Sequence, residues 1–333
     1  MANHYVAPGV KGMLSVFAPW LDDDKVSEIM VNRPGEVFIE KEGAIAKFSI
    51  AELTPLYLKR LFNFIAKESQ QVLDDAHPML AANLYDGTRV QLVIPPVASH
   101  YTLAIRRKSI KSMQLLDYEQ SNFFNNGKPV SLEDDSDNSA ILAKLYVDKN
   151  WSEFLRQAIK SQKNIVLSGD TSSGKTTFLN ALIQEIPQDK RIISIEDTRE
   201  ISIPHENHVS LIASHGSQGK ANISMQQLVQ CSLRLRPDKI IVGEVRGAEI
   251  LDFISSCTTG HSGVMTTIHA KNPKLAFMRM TQLYKLNNVP AMRDEDILRE
   301  LKEVVDIIVQ VGKAKGRREL ISCYYKDATA CVF

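Results

Sequence analysis

Apolar residues follow two different patterns along the chain, and the change comes near residue 150. In the first part, Leu14, Phe17, Ala18 and Leu21 recur at the i, i+3, i+4, i+7 spacing of an amphipathic helix. Its apolar face is short and no basic face opposes it, so it is expected to face a core rather than a membrane surface. After a turn at residues 32–35, Val37 and Ile39 alternate with Glu36, Phe38 and Glu40 as in a half-buried strand, and Gly43 closes the next hairpin. Thr54 before Pro55 reads as a capping hydroxyl and first helical residue, with Leu58, Leu61, Phe62 and Ile65 as the buried stripe. Asp86 and Gly87 signal a turn before a β-prone run at 89–94, and a second run lies at 101–105. The first part therefore predicts mixed α and antiparallel β structure.

From Trp151 onward, helical patterns alternate with short runs that are apolar throughout, at 164–168, 192–195, 240–242 and 264–268. Val and Ile without alternation predict strands covered on both faces, hence a parallel sheet flanked by helices and an α/β fold class. Helical patterns at 273–286 and 294–305 precede late strands at 306–311 and 319–325. Between 117 and 150 the composition shifts to Asn, Ser, Gly and acid, including Glu133, Asp134, Asp135 and Asp137, which reads as a solvated connector. The chain divides into an α+β domain at 1–116, a linker at 117–150 and an α/β domain at 151–333.

A length of 333 residues suffices for two domains that each bury a core. The chain is 44% hydrophobic and 24% charged, as in soluble globular proteins, and has no apolar tract of the roughly 18 residues a membrane helix needs. Its N-terminus lacks the order of a secretory signal, so a cytoplasmic location is expected. A net charge of +1 gives no global field for nucleic acid or anionic lipid, and no specific nucleic-acid binding is expected. Cys231, Cys257, Cys323 and Cys331 form no C-x-x-C pair, which argues for reduced thiols over a zinc module.

The chemistry concentrates at one loop. Gly169, Asp170, Thr171, Ser172, Ser173, Gly174, Lys175 and Thr176 fit G-x-x-x-x-G-K-[ST], with Thr177 next, between an apolar strand and a helix expected to run to Ile186 before Pro187. Glycines let successive N–H groups turn inward toward phosphate oxygens, and the helix N-terminus adds positive potential. Lys175 supplies a full charge for the β- and γ-phosphates of ATP, and the Thr176 hydroxyl a ligand for Mg²⁺. Glu196, Asp197 and Glu200 follow the strand at 192–195, at the carboxyl edge of the sheet where ligands sit. Glu244 ends the strand at 240–242, where a second acid holds Mg²⁺ through water. The competing reading makes it only an N-cap for the helix from Gly247, and the neighbouring Arg246 favours the nucleotide role. His261 and His269 flank the strand at 264–268; His269, at the same edge as the acids, is read as a γ-phosphate sensor. Arg89 and Arg106 lie on first-domain strands, where surface arginines are ordinary.

Four blocks in order resemble the Walker A, Asp, Walker B and His boxes of secretion ATPases: residues 169–176, IEDTRE at 195–200, RPDKIIVGEVR at 236–246 and TGHSGVMTTIH at 259–269. In the first domain VNRPGEV at 31–37, DGTRVQLVIPP at 86–96 and LAIRR at 103–107 resemble the traffic ATPases of type IV secretion systems, the eleventh VirB component, and the likeness spans roughly residues 14 to 312. The resemblance implies a homohexamer with a RecA-like P-loop domain and the nucleotide (ATP or ADP, with Mg²⁺) between the two domains. It also implies that Arg89 and Arg106 face the phosphates, that Glu200 or Glu196 activates water, and that Glu244 orders Mg²⁺ or water. Domain closure about the linker would convert nucleotide state into motion. Implied partners are other type IV secretion ATPases and inner-membrane components, with peripheral association at the cytoplasmic face through them. Type II secretion and pilus assembly or retraction ATPases share the four boxes; many assembly enzymes carry a four-cysteine module that this chain lacks. A DNA-pumping motor and a nucleotide-gated scaffold are the alternatives of another class.

Overall fold

Ile165, Val166 and Leu167 send successive side chains to opposite faces of strand β7 (Ile165–Ser168), and all three are fully buried. Ile165 and Leu167 join Leu155 and Ile159 of the helix Trp151–Lys160 and Leu179 and Ile183 of the helix Lys175–Ile183. Val166 joins the opposite cluster, with Phe253 of the helix Glu249–Thr258 and Phe277 of the helix Pro273–Tyr284. Strands β10 (Lys239–Val242) and β12 (Ile307–Ala314) repeat the division, Ile241 opposing Ile240 and Val242, and Ile307 and Val309 opposing Ile308. The apolar runs are thus explained by helices on both faces, each buried side chain contributing roughly 1.5–3 kcal/mol relative to exposure.

The computed structural model describes residues 8–84, 87–107, 139–214, 222–260, 262–289, 291–314 and 317–331. With β8 (Ile192–Glu196), β9 (His208–Ile212), β11 (Met265–Ile268) and β13 (Arg317–Tyr325), the second sheet has the order β13-β12-β7-β11-β10-β8-β9. Its pairs are parallel except β12 with β13, an antiparallel hairpin at the edge. Of the expected linker, residues 139–147 form the helix Ser139–Val147, whose Leu142 is buried with Phe154 and Tyr325; residues 117–138 lie outside the described set.

The first domain is a six-stranded antiparallel sheet. Its strands are β1 (Val26–Val31), β2 (Glu36–Lys41), β3 (Ala44–Ser49), β4 (Met79–Asn83), β5 (Arg89–Val93) and β6 (Thr102–Arg106), ordered β3-β2-β1-β6-β5-β4. The helix Pro55–Glu68 covers one face and begins as expected, with the Thr54 hydroxyl accepting from the Tyr57 N–H at 3.1 Å. The amphipathic stretch around residues 14–21 is three short pieces rather than one helix: Pro8–Leu14, a 3₁₀ turn Ser15–Phe17 and a last turn Ala18–Leu21. The break falls at Phe17 (φ −100°, ψ 3°), and Pro19 follows in the first turn of the last piece, where its missing N–H costs nothing; Leu14 and Phe17 still reach the core.

Strand β2 departs from simple alternation, because Glu36 and Phe38 are buried as well as Val37 and Ile39. The second domain covers that face. Glu40 accepts from Arg236 at 2.7 Å, and Lys47 bridges Glu36 and Glu206 at 3.3 and 3.1 Å. The domains also share apolar core: Val93, Val97, Ala98 and Ala104 pack in the cluster of Val209 and Leu211. Ala98 and Leu211 form an antiparallel bridge, and the Ile212 N–H donates to the Val97 carbonyl at 2.8 Å. Fully buried Arg191 of the second domain donates across the interface to Asn32 at 2.6 Å, and within its own domain to the Leu235 carbonyl at 2.8 Å and to Asn207 at 2.5 Å.

Candidate active site

The loop after β7 turns on two unusual backbone conformations, Ser172 at φ +59° and Gly174 at φ +94°. The second favours glycine. Gly169 is required for a different reason: a Cβ there would stand 2.4 Å from the Val311 carbonyl oxygen. The helix Lys175–Ile183, shorter than the expected run to Ile186, starts directly behind the loop and directs its N-terminus at a cavity of about 650 Å³. Residues 171–177 line this cavity with Glu200, Glu244, Arg246, His269 and Arg318. Gly169 and Asp170 contribute from behind, their carbonyls accepting from the Lys175 ammonium at 2.8 and 3.0 Å. An ammonium has three donors, so one remains for a ligand. Burial lowers the Lys175 pKa, opposed by Glu244 and Asp170.

The acids come from parallel strand ends at one edge of the sheet. A second cavity of about 110 Å³ is lined by Thr176, Glu196, Asp197, Thr198, Glu200, Gly243, Glu244 and Arg246. Within this group the carboxylates differ. Glu196 is buried, and one of its oxygens accepts the backbone N–H groups of Glu200 and Ile201 at 2.8 and 2.7 Å, which fixes the turn carrying Glu200. Burial raises its pKa and these two bonds oppose the rise. Glu244 and Asp197 hold the Arg246 guanidinium between them at 2.7 and 2.5 Å. Glu200 is exposed, and it lines both cavities. Glu244 does not cap the following helix: Ala248 is the N-cap and no side chain caps it, while Glu249 accepts from the N–H groups of Arg246 and Gly247 at 2.6 and 2.8 Å and so fixes the turn before the helix.

His269 stands exposed at the end of β11 and lines the larger cavity; His261 lies outside the described residues. Arg89 and Arg106 are not brought to the loop in this chain. They line a separate cavity of about 500 Å³ between the domains, together with Glu28, Arg234 and Arg236. Arg106 pairs with buried Glu28 at 2.6 Å, and burial raises the Glu28 pKa. The sequence reading missed Arg318, which sits on a strand recognised only by its β pattern.

The family model described as Type II/IV secretion system protein matches residues 14–311. The chain is 37% identical over 311 residues to the type IV secretion system protein VirB11 of Brucella suis biovar 1 (strain 1330), covering 92% of this chain and 86% of that protein. To the type IV secretion system protein PtlH of Bordetella pertussis (strain Tohama I / ATCC BAA-589 / NCTC 13251) it is 34% identical over 322 residues, 94% of each. Among solved structures, the VirB11 ATPase from the Brucella suis type IV secretion system, in complex with sulphate, matches with a TM-score of 0.89 and 34% identity, over 97% of this chain and 99% of that one.

Proposed function

The chain belongs to the type II/IV secretion system protein family and is a secretion ATPase of the type IV kind, and from that premise we propose how its residues divide the work of hydrolysis. The loop at 169–176 holds the phosphates through its backbone N–H groups and Lys175. Glu200 positions and deprotonates the attacking water, because this residue is exposed and lines both cavities, whereas Glu196 is committed to two backbone donors. Water attacks the γ-phosphorus in line, the bond to the β–γ bridging oxygen breaks, and Glu200 takes the proton as ADP leaves. Arg246 and His269, which line the same cavity, stabilise the negative charge on the γ-phosphoryl group in this reading.

The Thr176 hydroxyl and the Glu244 carboxylate are hard oxygen donors on the wall of the small cavity, which suits Mg²⁺. Among the described residues no group of three or more His, Cys, Asp or Glu forms a metal cage. A site of one or two protein oxygens completed by phosphate and water is the arrangement Mg²⁺ prefers. When bound there, Mg²⁺ would neutralise the charge that builds up on the phosphates. This division of labour rests on the small cavity, which gathers acids from two strand ends beside Thr176.

Arg89 and Arg106 are the remaining catalytic candidates, and their separate cavity supports a role in trans. The first domain of one subunit offers them to the loop of its neighbour, in a homohexamer that associates peripherally with the cytoplasmic face of the inner membrane. Its contacts there are other type IV secretion ATPases and inner-membrane components. Among the described residues no helix is long and apolar enough to cross a membrane, so partners supply the attachment. Mixing inactive Lys175→Ala and Arg106→Ala subunits tests the arrangement. In trans, an intact loop meets an intact arginine at some junctions, and ATPase activity returns to a measurable fraction of wild type. Mixed rings as inactive as their parents would remove the trans role.

A further inference from the structure

Strand β12 runs parallel to β7 with Gln310 opposite Ser168, then continues past the sheet edge into its hairpin with β13, where Lys313 pairs with Arg318. The hairpin thereby stands against the back of the phosphate loop. Val311 closes on Gly169, and the Arg318 side chain lies over Gly174. A Cβ on Gly174 would be 2.9 Å from Arg318 Cδ, 3.3 Å from Nε and 3.7 Å from Cζ. Arg318 is exposed, lines the 650 Å³ cavity, and has no carboxylate partner among the described residues.

This is an unfavourable position for a cation unless an anion comes to it. The helix Lys175–Ile183 begins at the next residue after Gly174, and its N-terminus carries partial positive charge. Lys175 and Arg246 share the same cavity wall. Glu200 and Glu244 line the cavity too, but neither pairs with Arg318, and Glu244 is held by Arg246; with a phosphate on the loop Arg318 becomes a further donor to the same anion.

The sheet order decides which phosphate. Glu196, Glu200, Glu244 and His269 follow β8, β10 and β11, all on one side of β7, while Arg318 arrives from β13 on the other. Water activation and γ-phosphate chemistry occupy the first side. We propose that Arg318 is a nucleotide-retention residue that contacts the non-reacting phosphates of ATP and ADP, at the α-phosphate end. It lies beyond residues 14–311, where the family match runs, so this contact comes from the outer strand of the hairpin, past the matched region. The proposal rests on the nucleotide occupying the 169–176 loop.

The test is titration of full-length protein with a fluorescent ADP analogue, alongside steady-state ATPase kinetics, for wild type, Arg318→Ala, Arg318→Lys and Lys175→Ala. A charge-assisted contact predicts that Arg318→Ala raises both the ADP Kd and the KM for ATP by about tenfold. It also predicts that kcat holds within about twofold, that Arg318→Lys falls between, and that the nucleotide-free melting temperature does not move. A tenfold fall in kcat with unchanged Kd would assign Arg318 to the γ-phosphate and overturn the proposal, as would unchanged Kd and kcat together. A Kd loss accompanied by a lower nucleotide-free melting temperature would make the role structural and overturn it too. Lys175→Ala reports separately on the loop: if it binds the analogue as wild type does, the placement of the nucleotide fails, whatever Arg318 does.

Discussion

Asn32→Ala removes two hydrogen bonds from the buried centre of the domain interface. In the wild type the Arg191 guanidinium donates to Asn32 Oδ1 at 2.6 Å, and Asn32 Nδ2 donates to Asn207 Oδ1 at 3.0 Å. The first is charge-assisted, worth roughly 1.5–3 kcal/mol net, and the second about 1 kcal/mol. Neither loss is repaired by water, since Asn32 is 7% exposed and Arg191 is fully buried. Arg191 Nη2 and Asn207 Nδ2 already lack partners among the described residues, so the cation has few acceptors to spare. A destabilisation of about 3 kcal/mol follows, on the order of a 1 M decrease in the urea midpoint. The molecule provides its own reporters: of its two tryptophans, Trp20 lies in the first domain and Trp151 in the second. Unfolding followed separately in Trp20→Phe and Trp151→Phe backgrounds should give coincident midpoints for the otherwise wild-type chain, because the domains share a core. Asn32→Ala should lower them. A midpoint unchanged within about 0.2 M would show that the Asn32, Arg191 and Asn207 cluster does not hold the domains together.

Glu200→Gln should retain ATP binding while kcat falls at least about 100-fold; unimpaired turnover would pass the base role to Glu196 or Glu244. Lys239 is buried, and its pKa is pulled down to about 8 from 10.5 by burial. Between those values the unfolded chain binds more protons, so stability rises with pH by about 3 kcal/mol across the window, while below pH 8 the penalty is constant. Lys239→Met should abolish that rise in melting curves taken from pH 7 to 10.5, and an unaltered profile would assign the pH dependence elsewhere. Cysteines at Ala98 and Leu211, which face each other across an antiparallel bridge, should form a disulfide that joins the two domains of one chain and leaves turnover intact. Loss of activity restored by reductant would place the working motion within the chain.

The second sheet was legible because its strands are buried on both faces, which leaves a signal in every residue of β7, β8, β10 and β11. Edge strands carry half of that signal. β9 alternates buried Val209 and Leu211 with partly exposed His208 and Ser210, and β4 has one buried residue, Leu80, so neither stood out. The helix Met225–Ser232 went unread although Ser224 and Gln227 form a capping box, because its apolar stripe is short. At the site, the loop and the strand-end acids were legible because a phosphate cradle and a parallel sheet edge impose residue types at fixed local spacing. Arg318 and Arg191 had no local signal. Their meaning comes from partners far along the chain, Gly174 for one and Asn32 for the other.

The in-chain interface bears on how hydrolysis becomes movement. A hinge at the linker would require the two domains of a chain to part. That would expose the apolar surface of Val93, Val97, Ala98 and Ala104, and leave the Arg191 cation without Asn32, its acceptor in the first domain. Each opening would cost several kcal/mol, a large share of what one nucleotide event supplies. The cavity holding Arg89 and Arg106 is differently built: about 500 Å³, lined by four arginines with Glu28 as the acidic side chain on its wall. Arg106 is paired with Glu28 and Arg236 with Glu40 and Asp238, which leaves positive charge on the wall at Arg89 and Arg234 that an anion presented from outside would balance. If the proposed trans arrangement holds, motion at low energetic cost belongs at the seam where one subunit's arginines meet another subunit's nucleotide, with each chain's two domains moving as one body.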